Sequence, residues 1–404
     1  MCGRLAQLAR APRLHRGGRG FEPLSAHHMQ EVYFCTQTIQ AYNQIRMSLY
    51  RKINRRITRL LYKYIAKPLL FRLSPDNAHR YIVTIGSQLQ RWRLFRFAIS
   101  SNWAHPAHHL ERTICGITFK NPIGISAGFD KNGQLVPLIA RIGCGFTTVG
   151  SITAMPRTGN PKPWFYRLPK TKSLVVHAGL PNEGVDSVVS RLSKNAPSIP
   201  IIVSVAVVTS NPTDNLQTAV DDATSAISHI ILHNAADIIE LNISCPNAND
   251  NQPFICTPAL ADLLQQIDSM HYSIPLFVKM PLLPWEEFEP LLDIIRKHAI
   301  SGVTIANLVK DRTDVQLQDK LSNSMKGGLS GLPTKQLSTE LIRKTRKKCG
   351  NTLAIIGVGG IFTAADAKEK LDAGADLVAL ITGLIFEGPQ LIGDIVADLD
   401  NQAR

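Results

Sequence analysis

The sequence has little to offer a chemistry built on disulfides or metals. Its seven cysteines, at positions 2, 35, 115, 144, 245, 256 and 349, are odd in number and never spaced as C-x-x-C. That argues against a disulfide framework and against the usual zinc sites, and it suits a reducing compartment. No apolar run approaches the ~18–20 residues that carry a helix across a bilayer. Acidic residues are nearly missing from the start of the chain, where residues 1–72 hold 14 lysines and arginines against Glu22 and Glu31 alone. The rest is almost balanced, with 31 basic and 29 acidic residues over 73–404. The formal charge of +14 is therefore an N-terminal property. A nucleic-acid footprint needs a basic face on the folded body, so no nucleic-acid partner is expected. What is present, 44% hydrophobic and 19% charged residues in a chain of 404, is the composition of a globular protein with a large core.

Residues 1–46 are rich in arginine, poor in acid and low in periodicity. They fit a mitochondrial targeting leader, and they fit equally a stretch that precedes a true start at Met47. From Met47 the pattern changes. Leu49, Ile53, Ile57, Leu60, Leu61, Tyr64 and Ile65 recur at helical spacing, and Arg51, Lys52, Arg55, Arg56, Arg59, Lys63 and Lys67 fill the remainder. Such a basic amphipathic helix suits an anionic membrane surface; a helix packed on the body with a solvated basic face would look the same. Pro68 interrupts the pattern. A second helix is expected after Ser74-Pro75-Asp76, with Ser74 as its cap, Pro75 in its first turn, and Tyr81, Ile82, Ile85 and Leu89 on its apolar side. Residues 47–92 thus resemble a helical pair that dips into a bilayer, and 93–115 read as a linker.

Past residue 115 short apolar runs alternate with helical stretches. The runs are PIGISA (122–127), GFTTVG (145–150), IPIIVSVAV (199–207), ADIIELNI (236–243), PLFVKM (275–280), SGVTIAN (301–307), LAIIGVG (353–359) and DLVALIT (376–382). Eight such alternations predict an α/β fold, a (β/α)8 TIM barrel over 116–404 with the N-terminal helices as a membrane-association extension. A doubly wound open sheet is the rival. It is disfavoured because every run is followed by polar or glycine residues, as a shared catalytic rim requires.

In a barrel the active site gathers at the C-terminal strand ends. Those ends bring together two lysines, three asparagines, Cys245 and two glycine-rich turns, without a histidine pair or carboxylate cluster, so no metal is expected. Lys279 is the sharpest signal, a charge inside a strand that should be apolar throughout, although a lysine snorkelling at a strand end would give the same pattern. GGLSG (327–331), GVGG (357–360) and ITG (381–383) fall on or after strands six to eight, where these barrels cradle a phosphate. A phosphate, a lysine at the mouth and amide side chains together suit flavin mononucleotide (FMN), with Lys279 at the ring edge that gains negative charge on reduction.

The motifs NPIGISAGFDKNG, VGSIT…GNPKPWFYRLP, ELNISCPN, FVKMP, GGLSG, IIGVGG and ITGLIFEGP, in this order, resemble the dihydroorotate dehydrogenase family over about residues 60–400. The helical pair with LLYKYIAKPLLFRLSPDNAHRY resembles its membrane-associated, quinone-dependent class. The resemblance implies oxidation of dihydroorotate to orotate in pyrimidine (UMP) biosynthesis, with a quinone as electron acceptor. It implies FMN held by Ala127, Gly128, Lys131, Ser151, Asn242, Lys279, Gly331, Gly360 and Thr382, substrate held by Lys131, Asn242, Asn247 and Asn307, and Cys245 as general base. It also implies a peripheral location on a membrane surface met by residues 47–92: the cytoplasmic side of a bacterial inner membrane, or alternatively the mitochondrial inner membrane.

The sequence departs from the family pattern at several points. Cys245 and GLPNEG (179–184) resemble the soluble class, where the quinone class carries serine. Val176 stands where the family has a substrate-binding asparagine, Leu308 where it has a hydroxyl residue, Ala306 for a polar residue and Ser204 for an asparagine. These departures keep two alternatives open: a flavin-binding paralogue with a different substrate or none, and a non-redox, phosphate-ligand-binding barrel at a membrane.

Overall fold

Short buried runs separated by amphipathic stretches close, in the computed structural model, into a barrel of eight parallel strands. The structure describes residues 26–107, 109–194, 198–209, 215–244, 253–312, 315–322 and 325–403. Contacts divide the chain into two compact units, Met1–Leu49 and Tyr50–Arg404, and the barrel belongs to the second.

In chain order, β1 (Arg112–Ile114) and β2 (Ile117–Phe119) form a hairpin. Then come β3 (Ile123–Asp130), β4 (Phe146–Ile152), β5 (Phe165–Leu168), β6 (Ser173–Val176), β7 (Ile201–Ala206), β8 (Ile238–Asn242) and β9 (Leu276–Lys279). The last four are β10 (Gly302–Ile305), β11 (Gly328–Leu329), β12 (Ala354–Val358) and β13 (Leu377–Leu380). The barrel is β3-β4-β7-β8-β9-β10-β12-β13, closed by pairing of β13 with β3. All eight runs anticipated from the sequence are barrel strands. They are apolar because helices cover their outer face while the barrel core fills their inner one.

The two ends of the barrel differ in chemistry. Phe119 of the hairpin meets Phe146 edge-on at 5.8 Å between ring centroids, and with Ile202, Ile238, Phe277, Ile356 and Leu377 it forms an apolar cluster at the N-terminal end. The opposite, C-terminal end carries the polar residues. Beside it lies an antiparallel sheet in the order β11-β6-β5, in which Val176 pairs with Gly328 and with Phe165.

The N-terminal region differs from expectation in two ways. Its first described helix runs without a break over Ala26–Leu61, so helix begins well before Met47 and inside the expected leader; residues 1–25 lie outside the described residues. A π-helical turn, Tyr62–Ala66, follows, with Lys67 N–H donating to Tyr62 O, and the next helix is Lys67–Arg72. The wide turn accommodates Pro68, which has no N–H to give. The expected second helix is present at Pro75–Leu89, capped by Ser74 Oγ, which accepts from Asn77 N at 3.3 Å.

Residues 93–115 are not a linker. They hold the helix Arg93–Asn102, the start of the hairpin, and Trp103, whose indole N–H donates to Thr58 Oγ1 at 3.0 Å. Buried Arg55 binds Asp394 Oδ1 at 3.0 Å, and Tyr62 Oη donates to Ile385 O at 2.6 Å. These bonds tie the segment from Tyr50 onward to the barrel's last helices. No helix among the described residues is long and apolar enough to cross a membrane.

Candidate active site at the barrel mouth

The C-terminal strand ends open into a cavity of about 520 Å³. Ala127, Gly128, Lys131, Ser151, Asn242, Lys279, Asn307, Gly331, Gly360 and Thr382 all line it. Residues scattered over more than 250 positions of sequence are thus gathered by the barrel into one site. Cys245 and Asn247 lie outside the described residues.

One wall is a network of neutral polar groups. Asn242 Nδ2 donates to Ser151 Oγ at 2.8 Å, and Ser151 Oγ lies 2.8 Å from Ser204 Oγ. Asn307 Nδ2 donates to Ser244 O at 2.8 Å and to Ser244 Oγ at 3.0 Å; the Ser244 hydroxyl in turn donates to Lys279 O at 3.0 Å. Both amide side chains are therefore fixed in orientation, as direction-sensitive recognition of a planar ring requires. Ser204 is absorbed into this wall through Ser151.

Lys279 ends β9, is buried, and makes no ion pair with a carboxylate among the described residues. Burying an ammonium without a counter-charge is costly, and an anionic group at the cavity would complete it. Glu240, one layer deeper, escaped the sequence reading although it stands in the run ELNISCPN. Its Oε2 accepts from Thr304 Oγ1 at 2.7 Å, and its buried Oε1 has no hydrogen-bond partner. β8 and β10 are separated by β9, so this bond crosses the inner face of β9 and places Glu240 inside the barrel.

On the other side stands Lys131. Its Nζ donates to His79 Nε2 and to Gly128 O, both at 3.2 Å, and sits 5.2 Å from the Phe165 ring centroid. Burial pulls the Lys131 ammonium down to about 8, against the opposing fields of Asp130 and Asp76. Burial, then the neighbouring Lys131 charge, depresses His79 to about 3, so at neutral pH its imidazole is an uncharged acceptor. His79 came from the Pro75–Leu89 helix and was not anticipated. Buried Asp130 holds the turn by accepting from Gln134 N at 2.8 Å and Leu135 N at 2.7 Å, and so fixes where Lys131 begins.

The glycine turns supply bare backbone. Gly331 (φ +77°) and Gly360 (φ +69°) adopt the left-handed conformation, and a Cβ at either would come within 2.3 Å of Lys172 O or of Lys335 Cβ. Only glycine fits there. Ser330 Oγ and Thr382 Oγ1, 2.9 Å apart, border the same turns. Backbone without side chains, flanked by hydroxyls, is the donor set that a phosphate uses.

The cavity also has an apolar arm. Tyr62, Ala66, Leu70 and Ile82 of the N-terminal helices line it together with Leu384 and Pro389. Val176, Ala306 and Leu308 line the cavity as well, so three of the departures from the family pattern sit in the site itself. No cluster of metal-ligating side chains occurs among the described residues.

The family model described as dihydroorotate dehydrogenase matches residues 109–402. The dihydroorotate dehydrogenase (quinone) of Bordetella avium (strain 197N) is 34% identical over 349 residues, covering 84% of this chain and 97% of its own. That of Chloroflexus aurantiacus is 34% identical over 345 residues, covering 82% of this chain and 94% of its own. Among solved structures, the ligand-free DHODH of Eimeria tenella is similar with a TM-score of 0.70 at 27% identity, covering 81% of this chain and 96% of that one.

Proposed function

Because the chain belongs to the dihydroorotate dehydrogenase family, we propose that it oxidises dihydroorotate to orotate in pyrimidine biosynthesis and passes the electrons to a quinone. The observation that carries this reading is the continuity of one cavity, polar at the strand ends and apolar between the N-terminal helices and the barrel. A polar reductant and a greasy oxidant need such unlike ends of one space.

The cavity wall fits FMN, which when bound supplies a hydride acceptor that can be reoxidised by quinone. The bare turns at Gly331 and Gly360, with Thr382, would hold its phosphate, Lys279 would offer a positive charge to its ring edge, and Ala127, Gly128, Ser151 and Asn242 would border the ring. The barrel, 116–404, is then the FMN domain. Orotate is a planar diamide with a carboxylate, so Lys131 takes the carboxylate while Asn242, Asn247 and Asn307 take the ring edges. Cys245, as the thiolate, would take the C5 proton, and the C6 hydrogen would depart with its electron pair to the hydride acceptor that bound FMN supplies, leaving the C5–C6 double bond.

Exposed Ile53, Ile57, Leu61, Ile65, Tyr81 and Ile85 among basic residues support peripheral docking of the helical pair on an anionic membrane. We place the protein at the cytoplasmic face of a bacterial inner membrane, with the mitochondrial inner membrane as the alternative.

The deciding experiment is an anaerobic absorption spectrum. Yellow protein bleached by dihydroorotate and recoloured by a soluble quinone is the expected result. Yellow protein that stays unbleached favours the second reading, a flavoprotein with another substrate, to which the apolar Val176 and Leu308 in the cavity point. Colourless protein would sink both.

The role of Lys131 has its own test. Its ammonium persists below about pH 8 and is lost above. Orotate affinity should therefore be flat below that pH and fall about tenfold per unit above it, until the higher pKa of the complex is reached. His79 is neutral throughout and contributes nothing to this limb. Lys131→Arg keeps its charge and should flatten the profile. Calorimetric titration with orotate at several pH values checks it; a flat wild-type profile would mean that another group holds the carboxylate.

A further inference from the structure

The helix Arg93–Asn102 carries more apolar surface than its fold uses. Phe95 and Ile99, four residues apart, pack one face onto the core cluster. One apolar face is what a surface helix needs. Yet Leu94 and Phe97, three apart and on roughly the opposite face, are 83% and 72% exposed, and Trp92 at the cap is 70% exposed. Single exposed apolar residues are ordinary, but three large ones on one short helix call for a partner.

The charges around them identify the partner. Arg91, Arg93 and Arg96 punctuate the same stretch, and none forms an ion pair among the described residues. No aspartate or glutamate occurs from Asn77 to Leu110. A tryptophan, two large apolar side chains and arginines with no acid between them are the composition of an element that lies in the headgroup layer of an anionic bilayer. The helix is also bound to the helix Ala26–Leu61: Asn54 Nδ2 donates to Asn102 Oδ1 at 2.7 Å, beside the Trp103–Thr58 bond.

We propose that the helix Arg93–Asn102, led by Trp92, is a third membrane-contacting element, seated in the headgroup layer of an anionic lipid surface through Trp92, Leu94 and Phe97. This rests on the reading that the helical pair before it docks on a membrane. It widens the footprint beyond residues 47–92, and it hangs from the barrel side through Phe95 and Ile99. The barrel therefore has a hold on the lipid that does not pass through the first helices.

The test uses the full-length protein and vesicles of phosphatidylcholine with and without phosphatidylglycerol. In cosedimentation, Leu94→Ser/Phe97→Ser should weaken partitioning about 10- to 100-fold, the scale set by two large side chains removed from an apolar layer. Brominated acyl chains should quench the wild-type tryptophan emission, and Trp92→Phe should remove that quenching, since Trp103, Trp164 and Trp285 are at least half-buried. Ile57→Ser/Leu61→Ser serves as the control on the helical pair. Wild-type binding that survives Leu94→Ser/Phe97→Ser unchanged, with Trp92 unquenched, would overturn the third element while leaving the docked pair intact. Wild-type protein that ignores both vesicle types would overturn both.

Discussion

Replacing Cys245 by alanine should leave the FMN spectrum and content intact while flavin reduction by dihydroorotate falls by about a hundredfold to ten-thousandfold, the range that a positioned general base supplies. The proton at C5 has no other ready acceptor. Among the described groups of the cavity, Asn242, Asn307 and Ser151 offer only amides and a hydroxyl, Lys131 holds its proton below about pH 8, His79, depressed to about 3, is a feeble base, and Glu240 lies a layer below in the barrel interior. The residue before Cys245 is held firmly, since Ser244 is buried and its hydroxyl donates to Lys279 O. The chain thus leaves β8 beside Lys279. A thiol with an ordinary pKa of ~8.5 is only a few per cent thiolate at neutral pH. At saturating substrate the wild-type rate of reduction should therefore rise with pH through that range, whereas substrate affinity declines as Lys131 loses its proton. Rapid-mixing reduction at several pH values separates the two trends. Undiminished reduction in the alanine variant would assign the base elsewhere.

The barrel was legible because its signal is local. Each strand is a short apolar run bounded by turns, and the eightfold alternation with helices leaves few architectures open. The cap at Ser74 was legible for the same reason. The sheet beside the mouth was not. Its strands are four residues or fewer, and Val176 meets Gly328 across some 150 residues of intervening chain. No window of sequence holds such a pairing. The helix from Ala26 was hidden by a sequence without a clean stripe, and the Arg93–Asn102 helix by carrying apolar residues on two faces, which blurs the 3.6-residue period. In the site, lysines and asparagines at strand ends announce themselves as charges and amides where apolar residues belong. Glu240 breaks the same rule one layer deeper, but it is buried in the barrel interior, while the asparagines beside it mark the strand end. His79 stands on a helix, outside the strand-end logic, and enters the site only because the Pro75–Leu89 helix packs against the cavity next to Lys131.

Restoring polar side chains at the two apolar positions, by Val176→Asn with Leu308→Thr, should raise kcat/KM for dihydroorotate. On the proposed function, each change would give a ring group of the substrate a polar partner at a position that is now hydrocarbon. A buried polar group left unpaired costs ~1–3 kcal/mol, so if the two contributions added, the double change would be worth about thirtyfold to ten-thousandfold. The backbone will hold still for the test. Val176 is paired on both sides, to Phe165 and Gly328, and Leu308 N–H donates to its neighbour's Asn307 Oδ1 at 3.0 Å. The two positions are close in space, since a Cβ at Gly328, the partner of Val176, would lie 2.7 Å from Leu308 Cβ. Their effects should therefore couple, and the double variant should differ from the sum of the singles. Threonine is smaller than leucine, and asparagine extends into a cavity of about 520 Å³, so neither overpacks the wall. Steady-state kinetics of both singles and the double decide the matter. A gain means that the apolar pair weakens an otherwise conventional site. A loss means that valine and leucine are there for contact, and that the preferred substrate presents an apolar edge where dihydroorotate presents a polar one.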